Sequence, residues 1–501
     1  MAETKREIER KYEADESGIP DLTGVAGVAA VADQGVAHLD ATYYDTGDER
    51  LAASSVTLRR RTGGSDAGWH LKFPIAPDVR DEIQAPLSDI LPDDLAALVR
   101  SRVRGSELLP VVRLRSDRDV RHLLDADGRL LAEVSVDTVH AERLTGRGGE
   151  ARWTEVEVEL ADGGDPALLD KVEKRLRKAG VRPSASSSKL ARALKETAPG
   201  KRRRSAPARE PVTAGDHVLA YLRTQRDAIV ELDPAVRRDA EDAVHSMRVA
   251  TRRLRSTFKS FGKILDRAVT DPIAEELKWL AGELGLDRDR EVLTERLTAA
   301  VDEVPAALVR GPVVERLHSW SRAEHGGARG RLLGVLDSRR YLTLLDTLDA
   351  LIADPPLLKA AGKEPHKPIA KAVRKDFRKV SVLIEHAADL EPGAERDVAL
   401  HEARKKAKRT RYAAEAAKPV LGKPAKTMVK SMKSLQNLLG EHQDSVMARQ
   451  ALRELSAVAH AAGESAFTYG LLHEREEQRA VRVETEVPGF WDGIKGGAAA
   501  L

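Results

Sequence analysis

Charged residues occupy alternate positions in several short segments of the first part of the chain. Glu7, Glu9 and Lys11 are the earliest, and on a β-strand they would share one face, because alternate side chains point to the same side. The same spacing relates Arg59 to Arg61, His70 to Lys72, Glu82 to Gln84, Arg113 to Arg115, Glu133 to Asp137, and Glu155 to Glu157 and Glu159. Apolar residues such as Leu58 and Leu71 stand between them. The segments therefore read as strands with one charged face and one apolar face.

Two arrangements would accommodate such strands. In an ordinary sheet the apolar face packs on a core and the charged face meets water. Repetition in so many strands favours a closed barrel instead, with apolar faces packed outward against helices and charged faces lining a lumen. Carboxylates on neighbouring strands suit Mg²⁺ or Mn²⁺, and Lys and Arg suit phosphate oxygens. Together they predict metal-assisted phosphoryl transfer.

A second candidate site is a motif that occurs twice, as HSMRVATRRLR at 245–255 and HEARKKAKRTR at 401–411. Basic residues follow each histidine at the third, seventh, eighth and tenth positions. The two sets are His245, Arg248, Arg252, Arg253 and Arg255, and His401, Arg404, Lys408, Arg409 and Arg411. A second landmark follows each copy, Leu284-Gly285 with Asp289 and Leu439-Gly440 with Asp444. Both landmarks recur after about 155 residues, which indicates an internal duplication.

On a helix, each histidine and the basic residues at the third, seventh and tenth positions after it fall on one stripe, and the eighth lies beside it. Such a stripe is either a solvated face neutralised by acids from neighbouring helices or a surface that binds an anion. The identical spacing of two copies favours the anion. Aromatic residues make up only 4% of the chain, and no groove-reading motif is recognisable, so a phosphate chain is favoured over nucleic acid.

The elements that must position these residues change near residue 199. Period-two alternation dominates before it and predicts an antiparallel sheet or barrel with a few helices. A basic, Pro-rich linker follows at 199–212. Beyond it, apolar residues recur at three- and four-residue spacing and predict long helices. We therefore expect a mainly β domain at 1–198 and an all-α domain at 213–501, built from two helical halves related by a pseudo-twofold axis.

Composition limits the class of protein. The chain has 501 residues, 42% of them hydrophobic and 33% charged, with a net charge of only +3. Cysteine is absent, which excludes disulfides, a thiolate nucleophile and a Cys-type zinc site. The first residues are too polar for a signal peptide, and no apolar run reaches membrane-spanning length. We expect a cytoplasmic protein without a membrane partner, whose oligomeric state the sequence leaves open.

The first domain resembles the CYTH family, the triphosphate tunnel metalloenzymes. Glu7-Ile-Glu-Arg-Lys11 matches the family's opening ExExK signature, and further pieces match in order: Tyr43-Tyr-Asp-Thr46, Leu58-Arg-Arg-Arg61, Leu71-Lys72, Ala132 to Asp137, Glu155 to Glu159, and Ser186-Ser-Ser-Lys189. The resemblance implies an eight-stranded antiparallel tunnel that hydrolyses a triphosphate with a divalent cation. Metal-activated or carboxylate-activated water would be the nucleophile.

The resemblance also assigns roles to residues. The catalytic set is Glu7, Glu9, Lys11 and Lys72. The metal ligands are drawn from Glu7, Glu9, Asp137, Glu155, Glu157 and Glu159. Lys11, Arg59, Arg61, Lys72, Arg113, Arg115 and Lys189 would grip the phosphates. No metal or base role is assigned to the strand of Glu82, because Gln84 stands where the family often carries a second acid.

The second domain resembles the CHAD family, the conserved-histidine α-helical domain, whose defining feature is a pair of histidine/basic helices. The resemblance implies that the ten motif residues bind inorganic polyphosphate, and that the protein could associate with polyphosphate deposits. The expected function is hydrolysis of inorganic triphosphate or short polyphosphate. Two alternatives stay open: a non-catalytic polyphosphate-binding protein, and a tunnel enzyme that acts on thiamine triphosphate or a nucleoside triphosphate, or that cyclises ATP.

Overall fold

The computed structural model describes residues 3–14, 18–146, 148–198, 210–285, 288–325 and 327–498, with the backbone alone for 288, 289, 291, 322–325, 328 and 496–498. The chain divides into two compact units, Met1–Pro207 and Ala208–Leu501. Residues 199–209 of the predicted linker lie outside the described residues. Among the helices that are described, none is both long and apolar enough to cross a membrane.

The first unit is a closed antiparallel barrel. Its strands are β1 (Glu3–Glu13), β2 (Ala30–Asp45), β3 (Thr57–Thr62), β4 (Gly68–Ala76), β5 (Val79–Pro86), β6 (Leu109–Leu124), β7 (Leu130–Arg143) and β8 (Glu150–Leu160). The sheet runs β5-β4-β3-β2-β6-β7-β8-β1, and β1 also pairs with β5, which closes the ring. A two-residue strand, β9 (Arg182–Pro183), is added to β1. The predicted eight-stranded tunnel is confirmed.

Alternation along the strands separates the two faces of the barrel wall. Leu58, Leu71 and Ile83 face outward and pack with helices α1 (Arg50–Ala53) and α2 (Asp93–Val103). Val156 and Val158 likewise pack under helix α3 (Ala167–Lys178). The charged residues between these apolar positions must therefore point into the lumen, because neighbouring side chains on a strand alternate in direction.

Helix α4 (Lys189–Glu196) is held against β6, β7 and β8 by its apolar side. Leu190 and Leu194 share an apolar cluster with Leu114, Ala141 and Trp153. The register pairs Leu114 with Ala141 of β7 and with Ala41 of β2, and all three side chains point into the barrel. The first turn of α4 is thus brought to the interior of the barrel.

The second unit is built from helices. They are α5 (Ala214–Arg237), α6 (Ala243–Ser260), α7 (Arg267–Glu283), α8 (Arg288–Asp302), α9 (Val313–His325), α10 (Ala328–Asp337), α11 (Arg339–Ala353), α12 (His366–Asp389), α13 (Ala394–Leu421), α14 (Lys423–Ala461) and α15 (Phe467–Ala498). A capping box at Thr213 and Asp216 begins α5. The expected succession of a barrel and an all-α unit is confirmed.

The order of packing repeats within the helical unit. Helix α6 packs between α5 and α7, and α13 packs between α12 and α14. The two middle helices also contact each other, and both contribute to one large apolar core through residues such as Met247 and Leu254 of α6 and Ala403 and Ala407 of α13. The two histidine motifs therefore lie on equivalent helices that meet at the centre of the unit.

Candidate active site and anion-binding surface

The lumen of the barrel is lined by charged side chains of both signs. Six acids and seven bases among the described residues line its cavity: Glu7, Glu9, Asp66, Glu82, Glu157 and Glu159, with Lys11, Arg59, Arg61, Lys72, Arg80, Arg118 and Lys189. Two more acids, Asp137 and Glu155, lie next to this cavity against Lys189. Nearly equal numbers leave the lumen close to neutral, and they pair with one another locally. Two groups of acids can be distinguished by their partners.

The first group surrounds Lys72. Its Nζ lies 2.5 Å from Glu7 Oε2 and 3.4 Å from Glu82 Oε1. Glu82 also lies 2.9 Å from His70 Nδ1. Burial, together with the nearby charge of Glu82, raises the pKa of Glu7 to about 7 although Lys72 opposes the shift. Burial alone would raise the pKa of Glu82, but His70 and Lys72 outweigh it and hold the pKa far below its ordinary value.

The second group lies on β7 and β8, where Asp137, Glu155 and Glu157 place carboxylate oxygens within 4.8 Å of one another. Lys189 Nζ lies 3.1 Å, 2.9 Å and 2.6 Å from these three carboxylates in that order. Arg118 donates two hydrogen bonds of 2.8 Å to Asp137 and one of 2.7 Å to Glu157. The group is buried but paired, which is the condition for keeping buried carboxylates ionised.

Lys11 joins the second group to β1. Its Nζ lies 2.9 Å from Glu9 Oε2 and also contacts Glu157. Burial would raise the pKa of Glu157, but Lys11, Lys189 and Arg118 hold it well below its usual range. Glu9 and Lys11 of the ExExK signature are thus brought to the acids of β8 by the register, which pairs Glu9 with Glu159 and Lys11 with Glu157.

This second group fits a divalent cation. Mg²⁺ and Mn²⁺ prefer carboxylate oxygen, and three carboxylates place oxygen atoms close enough together to bind one cation. Of the other expected ligands, Glu9 is linked to Glu157 through Lys11, and Glu7 belongs to the Lys72 group. Glu159 pairs with Lys5 at 2.7 Å, and its side chain is 26% exposed.

Two arginines, Arg61 buried and Arg59 half-buried, line the lumen with fewer acids around them than the lysines have. Arg59 Nη1 lies 3.4 Å from the Tyr43 hydroxyl oxygen and its Nη2 is 3.7 Å from Glu82. Arg61 contacts Asp66. Burial and the neighbouring charges of Arg59 and Arg118 lower the pKa of Arg61 to about 9. Mutual repulsion of buried cations favours an anion at this place.

The structure corrects the expectation that Arg113 and Arg115 grip phosphate in the lumen. Arg113 donates to Asp40, and Arg115 lies 3.7 Å from Glu142 with half of its side chain exposed. The register pairs Leu114 with Ala41, on the inward face, so both arginines point outward. Arg118 is the arginine of β6 that lines the lumen. Arg118 has the opposite parity to Arg113 and Arg115, and the register pairs it with Asp137, which the sequence of β6 alone does not reveal.

Two more lumen residues were given no functional role from the sequence. Glu82 is 2% exposed and central to the Lys72 group, although no role was assigned to it. Arg80 lines the lumen and lies 3.5 Å from Glu9. In the Tyr43-Tyr-Asp-Thr46 motif, only Tyr43 reaches the lumen, whereas buried Asp45 accepts hydrogen bonds from the backbone N–H groups of Leu51 and Ala52 in α1.

The two histidine motifs meet around Lys408. It lies close to Arg404 and Arg411 on α13 and to Arg252 and Arg248 on α6. Burial and these guanidinium charges lower the pKa of Lys408 to about 7. A cluster of five basic groups from two helices is unfavourable by itself and is suited to a polyanion.

Acids from neighbouring positions neutralise part of the predicted surface. Glu415 accepts a 2.9 Å hydrogen bond from Arg253 and lies 3.8 Å from Arg411. Asp376 of α12 accepts a 2.7 Å hydrogen bond from Arg409. For these arginines the solvated-face interpretation is partly correct, and they hold helices together as well as adding charge.

The remaining motif residues lie nearer the edge of the cluster. His245 is exposed, and Arg255 and His401 are half-buried. Burial and the nearby charge of Lys405 lower the pKa of His401. The side chain of Asp289, in the first landmark, lies outside the described residues, whereas Asp444 of the second faces Arg404 and Lys408.

Comparison with known proteins finds a known domain in each unit. The CYTH domain model matches residues 5–194 and the CHAD domain model matches residues 220–453. Two curated relatives, the uncharacterized proteins MT2285 and Rv2226 from two strains of Mycobacterium tuberculosis, are each 39% identical over 497 residues, covering 96% of this chain and 94% of each relative.

Solved structures are also similar to parts of the chain. PptA from Streptomyces chartreusis is 21% identical, with a TM-score of 0.48, covering 56% of this chain and 99% of that one. The CHAD domain from the plant Ricinus communis is 24% identical, with a TM-score of 0.43, covering 59% and 95%. From the two domain matches and the full-length relatives, this chain belongs to the family of proteins that join an N-terminal CYTH domain to a C-terminal CHAD domain.

Proposed function

We propose that the barrel hydrolyses inorganic triphosphate or short polyphosphate with Mg²⁺ or Mn²⁺, and that the helical unit binds long-chain polyphosphate. The observation that carries the proposal is the pairing of two opposite sets of side chains in one lumen. The acids supply the oxygen ligands that a divalent cation needs, and the bases supply the positive charge and N–H donors that phosphate needs. Members of the CYTH family are triphosphate tunnel metalloenzymes, which agrees with this chemistry.

Asp137, Glu155 and Glu157 would hold the cation, with Glu9 beside them through Lys11. When bound there, a divalent cation neutralises phosphate charge and lowers the pKa of bound water. The carboxylates' present partners, Lys189 and Arg118, would then be released toward phosphate oxygens.

The basic residues would position the phosphates. Arg59 and Arg61 present guanidinium groups that suit two oxygens of one phosphate, whereas Lys72 and Lys11 act as point charges. Placement and charge neutralisation supply most of the catalysis in phosphoryl transfer, so no covalent intermediate on the protein is required. Arg113 and Arg115 have no part in this step because they lie on the outer face.

In the helical unit, Arg248, Arg252, Arg404, Lys408 and Arg411 form the centre of the polyphosphate site. A linear phosphate chain carries regularly spaced charge and needs no aromatic platform, which agrees with the low aromatic content. Binding there would keep the polymer near the enzyme and could place the protein on polyphosphate deposits.

The test is phosphate release by the purified full chain from triphosphate with Mg²⁺ or Mn²⁺, with ATP, thiamine triphosphate and long polyphosphate as competitors. Glu157→Gln keeps the shape of the side chain but removes a ligand charge, and we expect turnover to fall at least 100-fold, about 2.7 kcal/mol of transition-state stabilisation. Glu142→Gln, on the outer face and 3.7 Å from Arg115, is the matched control and should retain full activity.

Other outcomes would assign a different function or substrate to the barrel. Binding of triphosphate without turnover under either metal would indicate a non-catalytic protein. Preference for ATP or thiamine triphosphate over inorganic triphosphate would assign another substrate to the same lumen. Polyphosphate binding is measured separately, so failure of either half is seen without the other.

A further inference from the structure

Each half of the helical unit has a glycine against an arginine of its histidine motif. Gly285, just after α7, lies at the guanidinium of Arg248, and a Cβ atom there would be 2.5 Å from Arg248 Cζ. Gly440, within α14, lies at Arg404, and a Cβ atom would be 2.9 Å from Arg404 Nη2. Both arginines are the third residue after the motif histidine. The same close contact therefore occurs twice, at equivalent positions.

Backbone conformation does not explain these glycines. Neither has the positive φ angle that only glycine adopts easily. Gly440 stands inside the 39-residue helix α14, where glycine weakens a helix relative to alanine. What both positions share is the guanidinium that occupies the space of a missing side chain.

Both arginines belong to the cluster of five basic groups around Lys408. Arg248 on α6 and Arg404 on α13 both lie near enough to Lys408 for their charges to lower its pKa. A methyl group on either glycine would overlap atoms at the far end of the arginine side chain, which can move, and not the fixed backbone. The arginine, and not the helix, would therefore shift.

We propose that Gly285 and Gly440 are positioning residues of the polyphosphate site: by lacking a side chain, each leaves the space that one guanidinium of the basic cluster around Lys408 occupies. This rests on the polyphosphate binding proposed above. It assigns to the Leu-Gly landmarks a role in anion recognition that acts through the arginines.

The test measures binding of long-chain polyphosphate to the full-length protein at several salt concentrations. For Gly440→Ala we expect about a tenfold loss of affinity, equivalent to about 1.4 kcal/mol. The slope of log affinity against log salt should become shallower by roughly one contact, as for other phosphate polymers. The melting temperature should stay the same or rise, because alanine favours the helix. Gly285→Ala should behave alike in affinity and salt slope.

Matched controls and a double-mutant cycle separate positioning from a general structural effect. Gly282→Ala and Gly470→Ala add a methyl group to helices where nothing lies within 4 Å, and should leave binding unchanged. In an Arg404→Ala background, Gly440→Ala should cause no further loss.

The outcomes are distinct. Equal losses for Gly440→Ala with and without Arg404, or unchanged affinity of Gly440→Ala in the otherwise unsubstituted protein, would overturn the positioning role while leaving polyphosphate binding intact. Absence of binding by the unsubstituted protein would overturn both, and it would be seen before any variant is compared.

Discussion

Replacing Arg118 by Met should damage the barrel far more than the same change at Arg115, three positions earlier on β6. Arg118 makes three hydrogen bonds to Asp137 and Glu157, and its side chain is 19% exposed. Arg115 has one contact, at 3.7 Å to Glu142, and its side chain is 51% exposed. The two substitutions remove the same chemical group from opposite faces of one strand.

The magnitude follows from what each change leaves behind. Arg118→Met removes one of the cations that neutralise two buried carboxylates, and breaking a buried ion pair costs about 3–5 kcal/mol. Lys189 and Lys11 remain beside these acids, so we expect a loss near the lower limit, about 3 kcal/mol. Arg115→Met removes a surface pair, worth about 0–1 kcal/mol.

Amide hydrogen exchange of β6, β7 and β8 measures this loss in the barrel separately from the helical unit. In parallel, Mn²⁺ should slow amide exchange more in the barrel of Arg118→Met than in the unsubstituted barrel, because a cation can replace the lost charge beside Asp137 and Glu157. Triphosphate turnover, if the proposed activity holds, should fall about 100-fold in Arg118→Met and stay within about twofold in Arg115→Met.

If the amides of β6, β7 and β8 exchanged equally slowly in the two variants without added metal, the reasoning would be refuted. That result would mean that Arg118 does not neutralise the acids of β7 and β8. A larger effect at Arg115 would further mean that the register of β6 is reversed. Circular dichroism of both variants checks that the barrel forms before exchange is compared.

Two further predictions concern other parts of the chain. Polyphosphate affinity should fall as pH rises from about 7 toward 9, because Lys408 has a pKa of about 7 in the free protein and must take up a proton in a complex that favours its charged form. The decline should approach tenfold per pH unit at most, and isothermal titration of Lys408→Met should show weaker binding with a flatter profile; an unchanged pH profile would contradict this origin. Asp45→Ala should cost roughly 2–4 kcal/mol of barrel stability, because buried Asp45 accepts hydrogen bonds of 2.7–2.9 Å from the backbone N–H groups of Thr46, Leu51 and Ala52. Urea unfolding measures that cost, and a loss of triphosphate affinity without a loss of stability would show instead that Asp45 acts in the site.

The two-residue period of a β-strand made it possible to predict which residues line the lumen. Once a closed sheet is assumed, alternation fixes which residues share a face, and Glu7, Glu9, Lys11, Arg59 and Lys72 all reach the interior as expected. The histidine motifs were similarly readable, because helical spacing places their basic residues on one stripe.

The phase of β6 was not readable from its own sequence. Charged residues occur on both of its faces, so the Arg113 and Arg115 pair resembled an inward pair as closely as Arg118 does. Only pairing with β2 and β7 decides the direction, and pairing depends on residues distant in sequence. The acids that neutralise Arg253 and Arg409 were hidden for the same reason: Glu415 lies beyond the second motif and Asp376 lies on another helix.

The balanced charges of the lumen have a thermodynamic consequence. A cation that binds alone at Asp137, Glu155 and Glu157 displaces their ammonium and guanidinium partners, which are then buried without counterions. A triphosphate that binds alone leaves the carboxylates in the same condition. Each ligand therefore restores the balance that the other disturbs, so their affinities are linked reciprocally. If the barrel binds metal and triphosphate as proposed, the two should bind with positive cooperativity, and either alone should bind weakly.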